Sequence, residues 1–211
     1  MMPQGLQSTP CQSMFVTMQL ITCEACRQPT PAHDLVNYGS EQAGLRQLCG
    51  RCFNESVAEH LGLEDFEHVQ LEPIRMVDAR GVSHEFQFRT RLFGPGLAID
   101  ALELLDGSPG GYEFQVVGEH DDDPLALLGK LVEKMRRALS LTHLEESELG
   151  PQVNDRMVVR GRVDCDLEAP GRTPSVVIDG REFTWEAFGQ MVATFEGWQF
   201  KLEFKDRSEE V

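Results

Sequence analysis

The chain has 211 residues, 41% of them hydrophobic and 26% charged, an ordinary globular composition with room for one good core and a small appended module. Its 35 acidic residues against 19 basic ones give a formal charge of -16, a surface that repels phosphate backbones and anionic membranes, so duplex nucleic acid is not an expected partner. No apolar run approaches the roughly 20 residues needed to span a bilayer, and a cytoplasmic protein is expected.

Residues 1–17 carry Pro3, Gly5 and a Gln/Ser/Thr-rich run without charge or clear periodicity, and they read as a flexible tail. Met18 follows as an alternative start. The first positive charge is Arg27, so no basic segment precedes the weakly apolar stretch from Met14 to Ile21 and nothing there reads as a secretory leader.

Residues 18–64 form the first module, organised by Cys23-Glu24-Ala25-Cys26 and Cys49-Gly50-Arg51-Cys52, two Cys-x-x-Cys pairs 22 residues apart. Two residues between paired cysteines let a tight turn present both thiolates to one ion while its N–H groups offset their charge. The spacing predicts one structural Zn2+ per chain, held by Cys23, Cys26, Cys49 and Cys52, with no position open for a catalytic water. Cys11 reads as a tail thiol and Cys165 as a small buried hydrophobe.

Between the pairs, Leu35-Val36 and the run Leu45 to Leu48 flank a turn containing Tyr38-Gly39-Ser40 and Gly44, which predicts a hairpin. Beyond Cys52, Asn54 reads as an N-cap and Gly62 as the stop of a two-turn helix. Knuckle, hairpin and a helix carrying the last ligands resemble the treble-clef class of zinc fingers over about residues 20–62. Ala32-His33-Asp34-Leu35-Val36, followed by Asn54 and His60, also resembles treble-clef nucleases of the His-Asn-His type. That resemblance implies catalytic roles for His33, Asn54 and His60. The chain departs from it in placing Asp34 after the histidine and in having only Arg27, Arg46 and Arg51 as basic residues up to position 64.

Residues 65–206 read as an α+β domain, a mostly antiparallel sheet covered by two helices, with 207–211 as a short tail. Phe86, Phe88, Thr90 and Leu92 alternate with Glu85, Gln87, Arg89 and Arg91, the signature of a half-buried strand. Similar alternation runs through Tyr112–Val116, Met157–Val163 and Trp198–Phe204, and weaker strands are expected near Val69–Met76, Leu97–Leu105 and Val176–Ile178. Asp179-Gly180 reads as a hairpin turn. Asp123 and Pro124 open a helix with Leu125, Leu128, Leu131, Val132, Met135 and Leu139 on one stripe. A second helix follows Thr184, with Trp185, Phe188, Met191, Val192 and Phe195 facing inward before Gly197. Trp185, Phe188, Trp198 and Phe200 are expected to be mostly buried.

The stretch Asp179-Gly180-Arg181-Glu182-Phe183-Thr184-Trp185-Glu186 through Glu196-Gly197-Trp198-Gln199-Phe200 resembles a signature of uncharacterised bacterial proteins, some with an N-terminal Cys-x-x-Cys finger. No activity comes with it. The expected function is a zinc-binding protein-interaction or adaptor module, with a His-Asn-His-type nuclease using His33, or an acidic inhibitor imitating nucleic acid, as the alternatives. No phosphate loop, nucleophile elbow or serine-histidine-acid pattern is present.

Overall fold

The computed structural model describes residues 20–40, 44–64, 66–94, 96–148, 150–166 and 173–209, so the expected tail at 1–17 and Cys11 lie outside the described residues. The fold is α+β, and every described strand pair is antiparallel.

The N-terminal module starts with β1 (Leu20–Thr22) paired to β2 (Pro29–Pro31). A 3-10 turn (Ala32–Asp34) leads into the hairpin of β3 (Leu35–Ser40) and β4 (Gly44–Cys49), and α1 (Gly50–Leu61) follows. Gly62 ends α1 in the left-handed conformation, φ 71°, which an L side chain adopts at a cost. The helix starts earlier than Asn54: Cys49 occupies the N-cap position, and Asn54 is buried in mid-helix. Asp34 supplies the missing cap from outside the helix, its Oδ2 accepting the Gly50 N–H at 3.2 Å.

A four-stranded meander follows, β5 (Ile74–Val77), β6 (Ser83–Phe93), β7 (Gly96–Leu105) and β8 (Ser108–Glu119), in the order β5-β6-β7-β8. The expected weak strand at Val69–Met76 is therefore shorter and later. On β6 the predicted face is buried at Phe86, Phe88, Thr90 and Leu92. The helix α2 (Pro124–Leu139) covers this face with Leu127, Leu131, Met135 and Leu139, an i, i+4 row, and Leu125 projects to solvent from the first turn. Asp123 Oδ1 caps α2 by accepting the Leu125 N–H at 2.9 Å. Ala58 of α1 belongs to the same core, with Val57, Leu63 and Phe66 against it, so the cysteine module shares its apolar interior with the sheet.

The C-terminal part has its own small core of Leu144, Val176, Ile178 and Met191, with Phe183 and Phe188 packed on it. It comprises the hairpin β9 (Leu144–Ser147) and β10 (Gly150–Val153), a sheet of β11 (Arg162–Asp166), β12 (Thr173–Ile178) and β13 (Arg181–Thr184), and α3 (Trp185–Ala193). Asp179 and Gly180, at φ 50° and 71°, make the tight turn between β12 and β13. Thr184 Oγ1 caps α3 by accepting the Ala187 N–H at 3.1 Å. The expected strand from Met157 begins only at Arg162, and Cys165 is exposed on β11 instead of buried.

The largest departure lies at the end. Residues 198–204 join no strand ladder among the described residues, and Trp185, Trp198 and Phe200 are 49%, 66% and 88% exposed instead of buried. Period-two alternation is a property of a segment, but burial needs a surface to receive it, and the hydrophobics packed on the second core are Val153, Val159, Phe183 and Phe188, none of them from residues 198–204.

Candidate metal centre

The loop between β1 and β2 is a knuckle closed by the Cys23 N–H donating to the Gln28 carbonyl at 3.0 Å and the Arg27 N–H donating to the Cys23 carbonyl at 3.0 Å. Arg27 takes φ 63° to complete it. Its orientation against β4 is fixed by a reciprocal pair: the Glu24 N–H donates to the Gln47 carbonyl at 2.9 Å, and the Gln47 N–H donates to Glu24 Oε1 at 3.0 Å. Cys49 ends β4 and Cys52 lies in the first turn of α1, so the knuckle delivers two thiols and the hairpin end and the helix one each to one point.

The four sulfurs of Cys23, Cys26, Cys49 and Cys52 lie within 4.8 Å of one another, an arrangement that could hold a metal ion. Cys26 and Cys49 Sγ are 3.9 Å apart, and all four cysteines are free of disulfides. Cys23 is fully buried and Cys52 nearly so. Burial pushes the Cys23 thiol up, but the N–H groups of Cys49, Cys26 and Ala25 outweigh it and hold it down to about 6. One of these is the Cys49 N–H at 3.3 Å from Cys23 Sγ. Burial pushes the Cys49 and Cys52 thiols up, as does crowding by neighbouring thiols. Four thiols in one pocket cannot all ionise without a cation between them.

The residues implied by the nuclease resemblance have other surroundings. His33 sits in the 3-10 turn ahead of the hairpin, buried, with Nδ1 unpartnered, and burial lowers its imidazole pKa. Asp34 caps α1. The Asn54 amide is fully engaged: Oδ1 accepts the Leu92 N–H at 2.8 Å, and Nδ2 donates to the Thr90 carbonyl at 2.8 Å and to His68 Nδ1 at 3.0 Å. His60 is exposed in the last turn of α1.

Two buried polar clusters were not evident in the sequence. Asp100, fully buried on β7, accepts from Arg89 Nε at 3.2 Å, Arg91 Nε at 2.9 Å and Gln115 Nε2 at 2.7 Å, and Arg207 Nη2 lies 3.4 Å away. Its signal was one acidic residue inside the apolar run Leu97-Ala98-Ile99-Asp100-Ala101-Leu102. The second is His84, its Nδ1 2.6 Å from Glu103 Oε1 and its Nε2 3.4 Å from Asp78 Oδ2.

Comparison with known proteins gives three family matches, each to a domain of unknown function: DUF7685 over residues 22–64, DUF7686 over 67–140 and DUF7713 over 143–209. These segments follow the cysteine module, the four-stranded sheet with α2, and the C-terminal core. No curated protein and no solved structure matches the chain.

Proposed function

We propose that this is a zinc protein whose four-cysteine centre is structural and whose task is to bind another protein. The cluster carries the reading. Four thiolates around zinc at about 2.3 Å in a tetrahedron stand about 3.8 Å apart, and the Cys26–Cys49 separation is 3.9 Å, far from the roughly 2.05 Å of a disulfide. An all-thiolate set is soft and suits zinc, and with four protein ligands no position is left for a reacting water. Such a centre orders its surroundings, and the chemistry of the molecule then resides in its surface. That surface displays large apolar groups at Trp185, Trp198, Phe200, Leu202 and Phe204, which supports protein binding.

The metal test is elemental analysis of the purified chain with thiol counting. One zinc per chain, four thiols exposed by a chelator, and loss of the ion on Cys23→Ser, Cys26→Ser, Cys49→Ser or Cys52→Ser are expected, and Cys11→Ser and Cys165→Ser should have no effect. A metal-free folded chain sinks the zinc reading. For the binding role, purified candidate partners captured by wild type should be lost by Phe200→Asp. Unchanged capture counts against this surface.

A further inference from the structure

Residues 198–205 read Trp-Gln-Phe-Lys-Leu-Glu-Phe-Lys, a strand pattern with one apolar and one polar face, yet they form no ladder among the described residues. Trp198, Phe200, Leu202 and Phe204 are 66%, 88%, 67% and 74% exposed. Both ends of the segment are tied down. The Trp198 N–H donates to the Phe195 carbonyl at 2.9 Å, and at the far end Lys134 Nζ donates to the Arg207 and Glu209 carbonyls at 2.8 and 2.7 Å. Arg207 itself reaches Asp100 and Glu113 at 3.4 and 3.5 Å. The segment is therefore anchored by the fold at both ends, which lowers the ordering cost of pairing with a partner.

We infer that this segment pairs as an antiparallel strand with the same segment of a second copy of the chain, about a two-fold axis at Leu202. The inference rests on the protein-binding reading above and names the partner. Charge selects the register. Every residue-centred pairing keeps apolar opposite apolar, and within residues 198–205 only centres at Lys201 and Leu202 pair seven residues, against five at Phe200 or Glu203. Centring on Lys201 sets Lys201 against itself, and centring on Glu203 sets Glu203 against itself and Lys201 against Lys205. Centring on Leu202 places Lys201 opposite Glu203 of the second copy twice, with Phe200 opposite Phe204 and Leu202 opposite itself. A symmetric pair needs such a self-complementary patch. In this pair Phe200, Leu202 and Phe204 of the two copies form one continuous apolar face, each side chain partly covered by its neighbours across the ladder. Both copies carry -16, so the rest of the two surfaces repels, and added salt strengthens the pair.

The test uses the full zinc-loaded chain. Light scattering and sedimentation at about 1–100 µM should give a dimer mass that rises with salt from about 0.05 to 0.5 M. Phe200→Asp should weaken it at least tenfold without changing the circular dichroism, since Phe200 makes little contact within its own chain. Leu202→Cys should cross-link copy to copy under mild oxidation, and Trp198→Cys, displaced from the axis, should not. A monomer at 100 µM, or equal cross-linking at both positions, overturns the second-copy inference. If that monomer still captures a different purified protein through Phe200, the protein-binding reading survives alone. If Trp198 fluorescence is instead shielded from a soluble quencher in the monomer, both readings fall.

Discussion

Asn54 shows how one side chain can take the place of a strand. β5 pairs with β6 only as far as Phe86, so the main-chain groups of Thr90 and Leu92 face away from any neighbouring strand, and the Asn54 amide accepts from one and donates to the other. An apolar replacement leaves both groups buried and unpaired, each costing about 1–3 kcal/mol, so Asn54→Leu should lower stability by about 3 kcal/mol in chemical denaturation. Asn54→Asp should also be damaging, because a carboxylate cannot donate to the Thr90 carbonyl. Because Nδ2 is a donor, His68 Nδ1 must accept, which requires neutral imidazole with its proton on Nε2. Burial lowers the pKa of His68 and of His33. A folded value below the unfolded one near 6.5 means the neutral form is favoured by folding. The stability is then complete above about pH 6.5 and is lost as pH falls through the lowered folded values. Denaturation midpoints measured with excess zinc should drop as pH falls below about 6.5, and the double variant His33→Gln, His68→Gln should show a flatter dependence.

At the scale of elements, α1 joins the metal centre to the sheet, since one helix carries Cys52, Asn54 and Ala58. Its start depends on a close fit: a Cβ on Gly50 would come 2.4 Å from Asp34 Oδ1, so Gly50→Ala displaces the capping carboxylate. Gly50→Ala and Asp34→Ala should each cost about 1 kcal/mol, and together scarcely more than either, because both remove the same cap. If the two costs simply add, the cap is not what they share. Chelation should act beyond the cysteines. Hydrogen exchange should show the Leu92 amide, held by Asn54, losing protection while the Ile99 amide in β7 keeps it. Unchanged protection at Leu92 would make the module independent of the sheet. This coupling was hidden in the sequence because Asn54, next to Glu55 and near Cys52, has the residue type and setting of a helix cap; its real partners lie 36 and 38 residues away. By contrast α2 was legible from Asp123-Pro124, and β6 from its alternation, since local contacts and one solvated face leave a mark in the order of residues. β7 was faint because it is covered on both faces over Gly96–Glu103, which erases alternation. Residues 198–204 carry a strand pattern yet join no strand among the described residues, because a pattern does not supply the partner that a ladder needs.

Over the described residues, many of the basic groups pair with carboxylates of the same chain. The arginines of β6 and the C-terminal stretch converge on Asp100, Arg162 pairs with Asp164 and Glu113, Arg75 with Glu85, and Arg80 with Asp78. A carboxylate buried under three guanidinium groups is costly to remove, so Asp100→Leu, which strands the largely buried Arg89, should destabilise by about 3–5 kcal/mol. The same pairing decides the response to nucleic acid. Non-specific affinity grows with the number of cations that can release counterions from phosphates, and cations already neutralised by Asp100, Glu113 and Asp164 release few. With a formal charge of -16 around them, the remaining field opposes approach at distances beyond the roughly 8 Å screening length at 0.15 M salt. Fluorescence anisotropy with a labelled duplex should therefore show no binding at micromolar protein in 0.15 M salt, and loading the cysteine site with zinc should not change this, because four thiolates leave the centre with a charge of about -2. Micromolar binding that weakens steeply with salt would show that some of these arginines exchange their carboxylate partners for phosphate, and Arg91, more exposed than Arg89, is where substitution by Ala would then reduce the salt slope first.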